Sequence, residues 1–185
     1  IPASVTAAVA SSGPKVHGAS QTSGGEDNYQ IIATPEDAME QAASEAREFG
    51  PVGLQIHNQG CALEGSAQDM ARGHASLALE LKKRGGTHLI LSGGELTCQL
   101  PPALNFETSK GGPNHVYILA LLHQLKGEPG IYALAADTDG KDGSTSAAGA
   151  FIGPKDWQRA LDRECDPQKA LATHKSGAFF DRLGN

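Results

Sequence analysis

The chain has 185 residues, the size of one ordinary domain or of one lobe of something larger, and about 39% of them are hydrophobic. Its 15 Lys and Arg stand against 21 Asp and Glu, a net charge of −6, and aromatic residues make up only 5%. That balance excludes a nucleic-acid binder, which needs a basic face to neutralise phosphates and gains from aromatic stacking. No run approaches the ~18 apolar residues of a membrane span, so no membrane partner is expected. Three widely spaced cysteines, Cys61, Cys98 and Cys165, form no C-x-x-C pair, which fits free thiols in a reducing, cytoplasmic setting. Ile1 stands at the start and Gly184-Asn185 at the end; both ends are expected to be cut, not natural.

Residues 1–27 are rich in Ser, Gly, Ala and Thr and read as a linker or the end of a preceding domain, because they have almost nothing to bury. From Asn28 the character changes, and residues 28–185 read as one domain. Tyr29 to Ala33 is a short apolar strand. Thr34 is an N-cap, with Pro35 at the first helical position and acids in the first turn. The helix that follows carries a small stripe of Ala38, Ala42 (with Met39) and Ala46, and ends at Gly50-Pro51. Val52 to His57 is a second strand. Ala62 to Arg84 is a long amphipathic helix, with Ala67, Met70, Ala71, Ala75, Leu77, Ala78 and Leu81 inward. Gly85-Gly86 stops it.

Thr87 to Leu91 is a third strand, and Leu96 to Leu100 a fourth. Pro101 to Gly112 is a polar loop. Asn114 to Lys126 is a helix apolar nearly all round, which predicts burial on both sides. Gly130 to Ala136 is a continuous apolar strand of the central parallel type. A small apolar segment, Ala147 to Ile152, and two short helical patches, Lys155 to Arg163 and Pro167 to Thr173, complete the chain. The alternation predicts an α/β fold: a layered domain with a mostly parallel sheet flanked by helices.

In such folds ligands bind beyond the carboxyl ends of the strands. Two loops there stand out. Ser92-Gly93-Gly94-Glu95 offers backbone amides for an anion and a carboxylate for Mg²⁺ or a hydroxyl, though a tight turn into the next strand accounts for the glycines equally. Asp137 to Gly143 places Asp137, Asp139 and Asp142 on one glycine-bent loop, which suits Mg²⁺ or a substrate hydroxyl better than a merely solvated turn. A third segment, Ser109 to Asn114, joins a cation, two glycines and a helix start, features that favour phosphate, although a plain Asn114 N-cap is the simpler account. The G-x-G-x-x-G, P-loop and G-x-S-x-G signatures are all absent. The histidines, among them His57, His74, His88, His115, His123 and His174, are scattered and read as surface or internally satisfied groups. Trp157 is expected to anchor the core.

In order, Asn28 to Pro35, Leu63-Glu64-Gly65, Leu91 to Thr97, Lys110 to Asn114, Ala135 to Gly143 and Ala147 to Ala150 resemble the C-terminal half of the class II glycerate 2-kinase family, including its TtuD-like branch labelled hydroxypyruvate reductase. The last part resembles the MOFRL module, over about residues 86–152. The resemblance implies ATP-dependent phosphorylation of D-glycerate in a cleft between two domains, with Mg²⁺. It also implies a catalytic lysine on an N-terminal domain of the same protein that this chain lacks, and an isolated piece without turnover. It assigns catalytic roles to Asp139 and Lys110. Ser92, Gly93, Gly94, Gly111, Gly112, Asn114, Thr138 and Gly140 would bind substrate or phosphate, and Glu95, Asp137 and Asp142 would support the metal. Many relatives carry Arg where this chain has Pro113; Lys110 would substitute as a point charge. The competing readings are an NAD(P)H-dependent hydroxypyruvate reductase and a non-catalytic ligand-binding fragment.

Overall fold

The structure, a computed structural model, describes residues 31–99 and 109–185. The expectations for residues 1–30, and for Leu100 and the loop through Thr108, lie outside the described residues. Ile31 to Ala33, the described part of the first expected strand, carry no regular structure.

Helix α1 (Pro35–Phe49) starts as its sequence dictates. The Thr34 hydroxyl accepts from the Asp37 amide at 3.2 Å, and the Asp37 carboxylate accepts from the Thr34 amide at 2.8 Å. Its inward stripe is Met39, Ala43 and Ala46, with Ala38 and Ala42 exposed. The helical period puts positions 39, 43 and 46 on one face, and that face meets the sheet.

The expected helix from Ala62 is divided. Residues Leu63–Ser66 form strand β2, and α2 (Ala67–Arg84) begins after it, capped by Ser66. Gly65, with φ of 118°, accounts for the extended start, because a left-handed glycine cannot open a helix. Within α2, Ala67, Ala71, Ala75 and Leu81 are buried as the periodicity predicts, and Met70, Leu77 and Ala78 are half-buried.

Strands β1 (Gln55–Asn58) and β3 (His88–Leu91) pair in parallel, as do β2 and β4 (Gly94–Thr97). The two pairs are one ribbon with a break in the middle. Across it the Gln59 amide bonds to Leu91 O, Gly93 N to Gly60 O and Leu63 N to Gly93 O, at 2.8 to 3.0 Å. Met39 of α1 lies against Gly93, and the Cys61 thiol donates to Glu36 at 2.9 Å, so α1 is fastened at this break.

Helix α3 (Pro113–Leu125) is the centre of the core. Ile118, Leu119, Ala120, Leu121, Leu122 and Leu125 are all buried, as expected for a helix apolar all round. It packs on α2, on the hairpin of β5 (Ala133–Ala136) and β6 (Gly149–Ile152), and on three short helices: α4 (Asp156–Asp162), α5 (Pro167–Ala172) and α6 (Ser176–Leu183). Phe179, Phe180 and Leu183 of α6 close the core, and Trp157 packs at its edge. Helix α6 was not anticipated.

Strand β5 departs from the central parallel strand that its composition suggests. It pairs antiparallel with β6, and its side chains alternate: Ala133 and Ala135 turn toward α3, while Leu134 is 73% exposed beside Phe151. Small alanines bring the hairpin close to α3, and the period of two sends Leu134 outward. The architecture is α/β, with parallel strands flanked by helices. Among the described residues no helix is long and apolar enough to cross a membrane.

Candidate functional site

The segment Lys110–Asn114 is held from three sides. Pro113 opens α3, where its missing N–H costs nothing, and Gly112 has no side chain with which to cap the helix. Asp142 caps it instead, from a distant loop. Its Oδ1 accepts from the Asn114 amide at 3.1 Å and from Asn114 Nδ2 at 3.3 Å. Its Oδ2 accepts from the His115 amide at 2.8 Å and faces His115 Nδ1 at 2.5 Å. Asp142 is 0% exposed and His115 3%. Burial alone pushes the Asp142 carboxyl up, but the hydrogen bonds from His115 and Asn114 outweigh it and hold the group below its ordinary value. The macrodipole of α3 adds to the attraction.

Glycine is obligatory in this interlock because the backbones touch. A Cβ on Gly112 would sit 2.3 Å from Asp142 Oδ1 and 2.6 Å from its carbonyl carbon, and one on Gly143 would sit 2.4 Å from Gly111 O. The Gly111 amide donates to Ser144 Oγ at 3.1 Å, and Gly111 O accepts from the Ser144 amide at 3.1 Å. On the third side, the Gly177 amide of α6 donates to Lys110 O at 2.9 Å. The Lys110 main chain is thus fixed while its side chain stays exposed, with no ion pair among the described residues.

Leading into Asp142, the turn Asp137–Gly140 is open to solvent. Its shape comes from the Gly140 amide bonding to Asp137 O at 3.2 Å and the Lys141 amide to Asp139 Oδ1 at 2.8 Å. Asp137, Thr138, Asp139 and Gly140 are all exposed.

The structure therefore joins two of the three predicted loops. The third, Ser92–Glu95, occupies the ribbon break. Gly93 already gives its amide to Gly60, Gly94 sits in register with Leu63, and Glu95 lies exposed opposite Glu64. Among the described residues no hydrogen bond links it to the other two loops. Its nearest tie is Cys98, just past β4, whose thiol is pushed up to about 11 by burial and then by the charge of Asp142.

These positions redistribute the expected roles. The amides of Gly93, Gly111 and Asn114 are spent on protein acceptors, so they do not offer a ready phosphate cradle. Asp142 does not fit a metal ligand, since both oxygens are occupied by donors from α3. Among the described residues the Lys110 ammonium, the Ser92 hydroxyl and the carboxylates of Asp137 and Glu95 make no hydrogen bond, and Asp139 keeps one oxygen free beside the one that holds the Lys141 amide. No group of three His, Cys, Asp or Glu stands ready to hold a metal among the described residues. Mg²⁺ commonly takes only one or two carboxylates plus phosphate oxygens, so Asp137 and Glu95 remain compatible with it.

Two recesses lie elsewhere: one of about 220 Å³ at the carboxyl ends of β2 and β4, lined by Ser66, Asp69, Arg72, Thr97 and His174 among others, and one of about 400 Å³ beside it, bounded by Arg72, His123 and His174; none of the expected site residues lines either. Sequence reading missed His115, Ser144 and the α6 start. Among the described residues four histidines are engaged within the protein: His115 with Asp142, His57 with His88 at 3.1 Å, and His74 with Tyr117 at 2.7 Å.

The profile of the MOFRL family matches residues 88–185, more than half of the chain. The chain belongs to the MOFRL family. This MOFRL chain is 38% identical over 160 residues to a protein of Agrobacterium vitis named "Putative hydroxypyruvate reductase", covering 84% of the chain and 35% of that protein. It is 28% identical over 143 residues to the glycerate 2-kinase of Pyrococcus horikoshii, 75% of the chain and 31% of that enzyme. Among solved structures, the glycerate kinase of Thermotoga maritima superposes with a TM-score of 0.71 at 25% identity, over 84% of this chain and 36% of that one. The PH0495 protein of Pyrococcus horikoshii gives 0.74 at 27% identity, over 85% and 35%. The chain spans about a third of the length of these relatives.

Proposed function

We propose that this MOFRL chain is the C-terminal lobe of an ATP-dependent glycerate 2-kinase, acting in the cytoplasm and completed by an N-terminal domain of the same protein. The observation that carries the reading is the interlock of the Lys110 segment with the Asp137–Ser144 loop. It fixes the main chain of an exposed cation and joins it to a turn bearing exposed carboxylates, and phosphoryl transfer demands mainly positioning and charge stabilisation. Kinase relatives of the same fold support the substrate class.

In this reading Asp139 accepts a hydrogen bond from the 2-hydroxyl of D-glycerate and orients its oxygen toward the γ-phosphorus of ATP. The new O–P bond forms as the bond to the ADP oxygen breaks, and the hydroxyl proton leaves toward the carboxylate. Lys110 offsets the charge on the transferred group. Ser92 and Thr138 supply hydroxyls to the substrate. Mg²⁺, when bound, neutralises phosphate oxygens, and Asp137 and Glu95 are the carboxylates that would hold it. Because the chain spans about a third of its relatives, it is expected to show no turnover by itself.

The test is to incubate the intact parent protein and the 185-residue chain separately with ATP, Mg²⁺ and D-glycerate. Phosphorus NMR should detect 2-phosphoglycerate with the parent only. A second reading, NAD(P)H-dependent reduction of hydroxypyruvate, is favoured by the names of two relatives at 38% and 36% identity. Oxidation of NAD(P)H by the parent with hydroxypyruvate, without phosphoglycerate formation, would replace the kinase reading.

A further inference from the structure

The start of α3 is a niche of the kind that binds anions: two successive backbone amides, a helix dipole and a glycine approach with no side chain in the way. The niche is already filled. The Asp142 carboxylate occupies it with four donors converging on two oxygens, at 0% exposure. We propose that Asp142 is a positioning residue and not a metal ligand: its carboxylate is a built-in anion that takes the α3 niche and thereby fixes the Lys110–Gly112 segment against the Asp137–Gly140 turn.

Three features support the assignment. First, Asp142 has no lone pair left facing solvent, so a cation would have to displace donors from Asn114 and His115. Second, among the described residues the niche has no other cap, since Gly112 supplies none and the Lys110 side chain is exposed. Third, the contact is mutual. The neighbouring Ser144 grips Gly111 by both its amide and its hydroxyl, and the Asp142 main chain is braced in turn by Ala147 and Thr145. A displaced Asp142 would release both loops together. The consequence for catalysis rests on the kinase reading; the consequence for the niche does not.

Two measurements test it. In the 185-residue chain, Asp142→Ala empties the niche, and a small carboxylate should refill it. Formate at about 100 mM is expected to raise the melting temperature of this variant several degrees more than that of the unaltered chain. A folded variant indifferent to formate overturns the proposal. Should Asp142→Ala not fold, Asp142→Asn keeps the shape but turns one acceptor into a donor. Hydrogen exchange at the Gly111, Asn114 and His115 amides should then speed at least tenfold, and unchanged protection overturns the proposal.

In the intact parent, Asp142→Asn is expected to lower kcat about tenfold or more while the Mg²⁺ concentration for half-maximal activity stays within about twofold, since tenfold in rate is ~1.4 kcal/mol. A large shift in that concentration, with kcat restored at saturating Mg²⁺, makes Asp142 a metal ligand and overturns the proposal. A parent without kinase activity removes the functional reading alone, and the formate and exchange measurements still decide the niche.

Discussion

Two glycine pairs, Gly93-Gly94 and Gly111-Gly112, look interchangeable as sequence and do different work in the fold. The first sits where a parallel ribbon breaks and restarts. Gly93 bonds to Gly60 and Leu63, and Gly94 takes a φ of 142° so that β4 can resume beside β2. The second sits at a tertiary contact, where two loops approach until a carboxylate touches the main chain. Gly94 serves local conformation and clearance from the strand it pairs with, whereas Gly112 serves clearance between two loops distant in sequence. A glycine pair after a strand therefore marks close approach without saying what approaches, and here the neighbour is the protein itself.

Substitutions can break that contrast. Gly112→Ala should be the most damaging, because its Cβ would meet both the buried Asp142 carboxyl and its backbone. A loss of about 3 kcal/mol is expected in denaturant melts of the chain. A loss below about 1 kcal/mol would mean the interlock yields easily. At the ribbon break the cost should be split unevenly. Gly94→Ala should cost about 2 kcal/mol, from its backbone angle and a Cβ only 2.1 Å from Leu63 O. Gly93→Ala meets only ordinary contacts at 3.4 Å and beyond, and should stay within about 1 kcal/mol. Equal losses at the two positions would show that the break is not organised as described.

Acid should give the smallest effect and the sharpest discrimination. The Asp142 carboxyl is held below its ordinary value in the folded chain. Its contribution is therefore complete above the unfolded value and is lost as pH falls through the folded one. The melting temperature should fall between about pH 5 and pH 3 by a few degrees more than in Asp142→Asn, which has no such proton to gain. Parallel acid profiles for the two proteins would place the acid-sensitive carboxylate elsewhere.

Much of the architecture was legible because it is local. The Thr34 cap, the alanine face of α2 and the all-round apolar α3 each follow from spacing within one segment. The errors arose where a distant partner decides. Leu63 to Ser66 reads as the start of a helix until β4 is there to pair with it. The apolar run ending at Ala136 reads as a central parallel strand, yet its partner is β6 and its alternation leaves Leu134 in water. The candidate site shows the same division. Lys110 and Asn114 stand out in one loop and Asp142 in another, and nothing in the sequence shows that the two loops are partners. Nothing near Gly112 announces a cap that lies 28 residues beyond Asn114, and His115 carries no signal of its own until Asp142 stands beside it.

That separation has a consequence for how the molecule is made. A chain leaving the ribosome presents the start of α3 well before Asp142 has been synthesised, so its first amides must stay with water until the β5 strand and the turn after it have emerged. The first turn of α3 can take its cap only once the loop bearing Asp142 has been made and folds against it. An interruption of synthesis between Leu125 and Asp142 leaves the most apolar helix of the chain complete in sequence but without its cap.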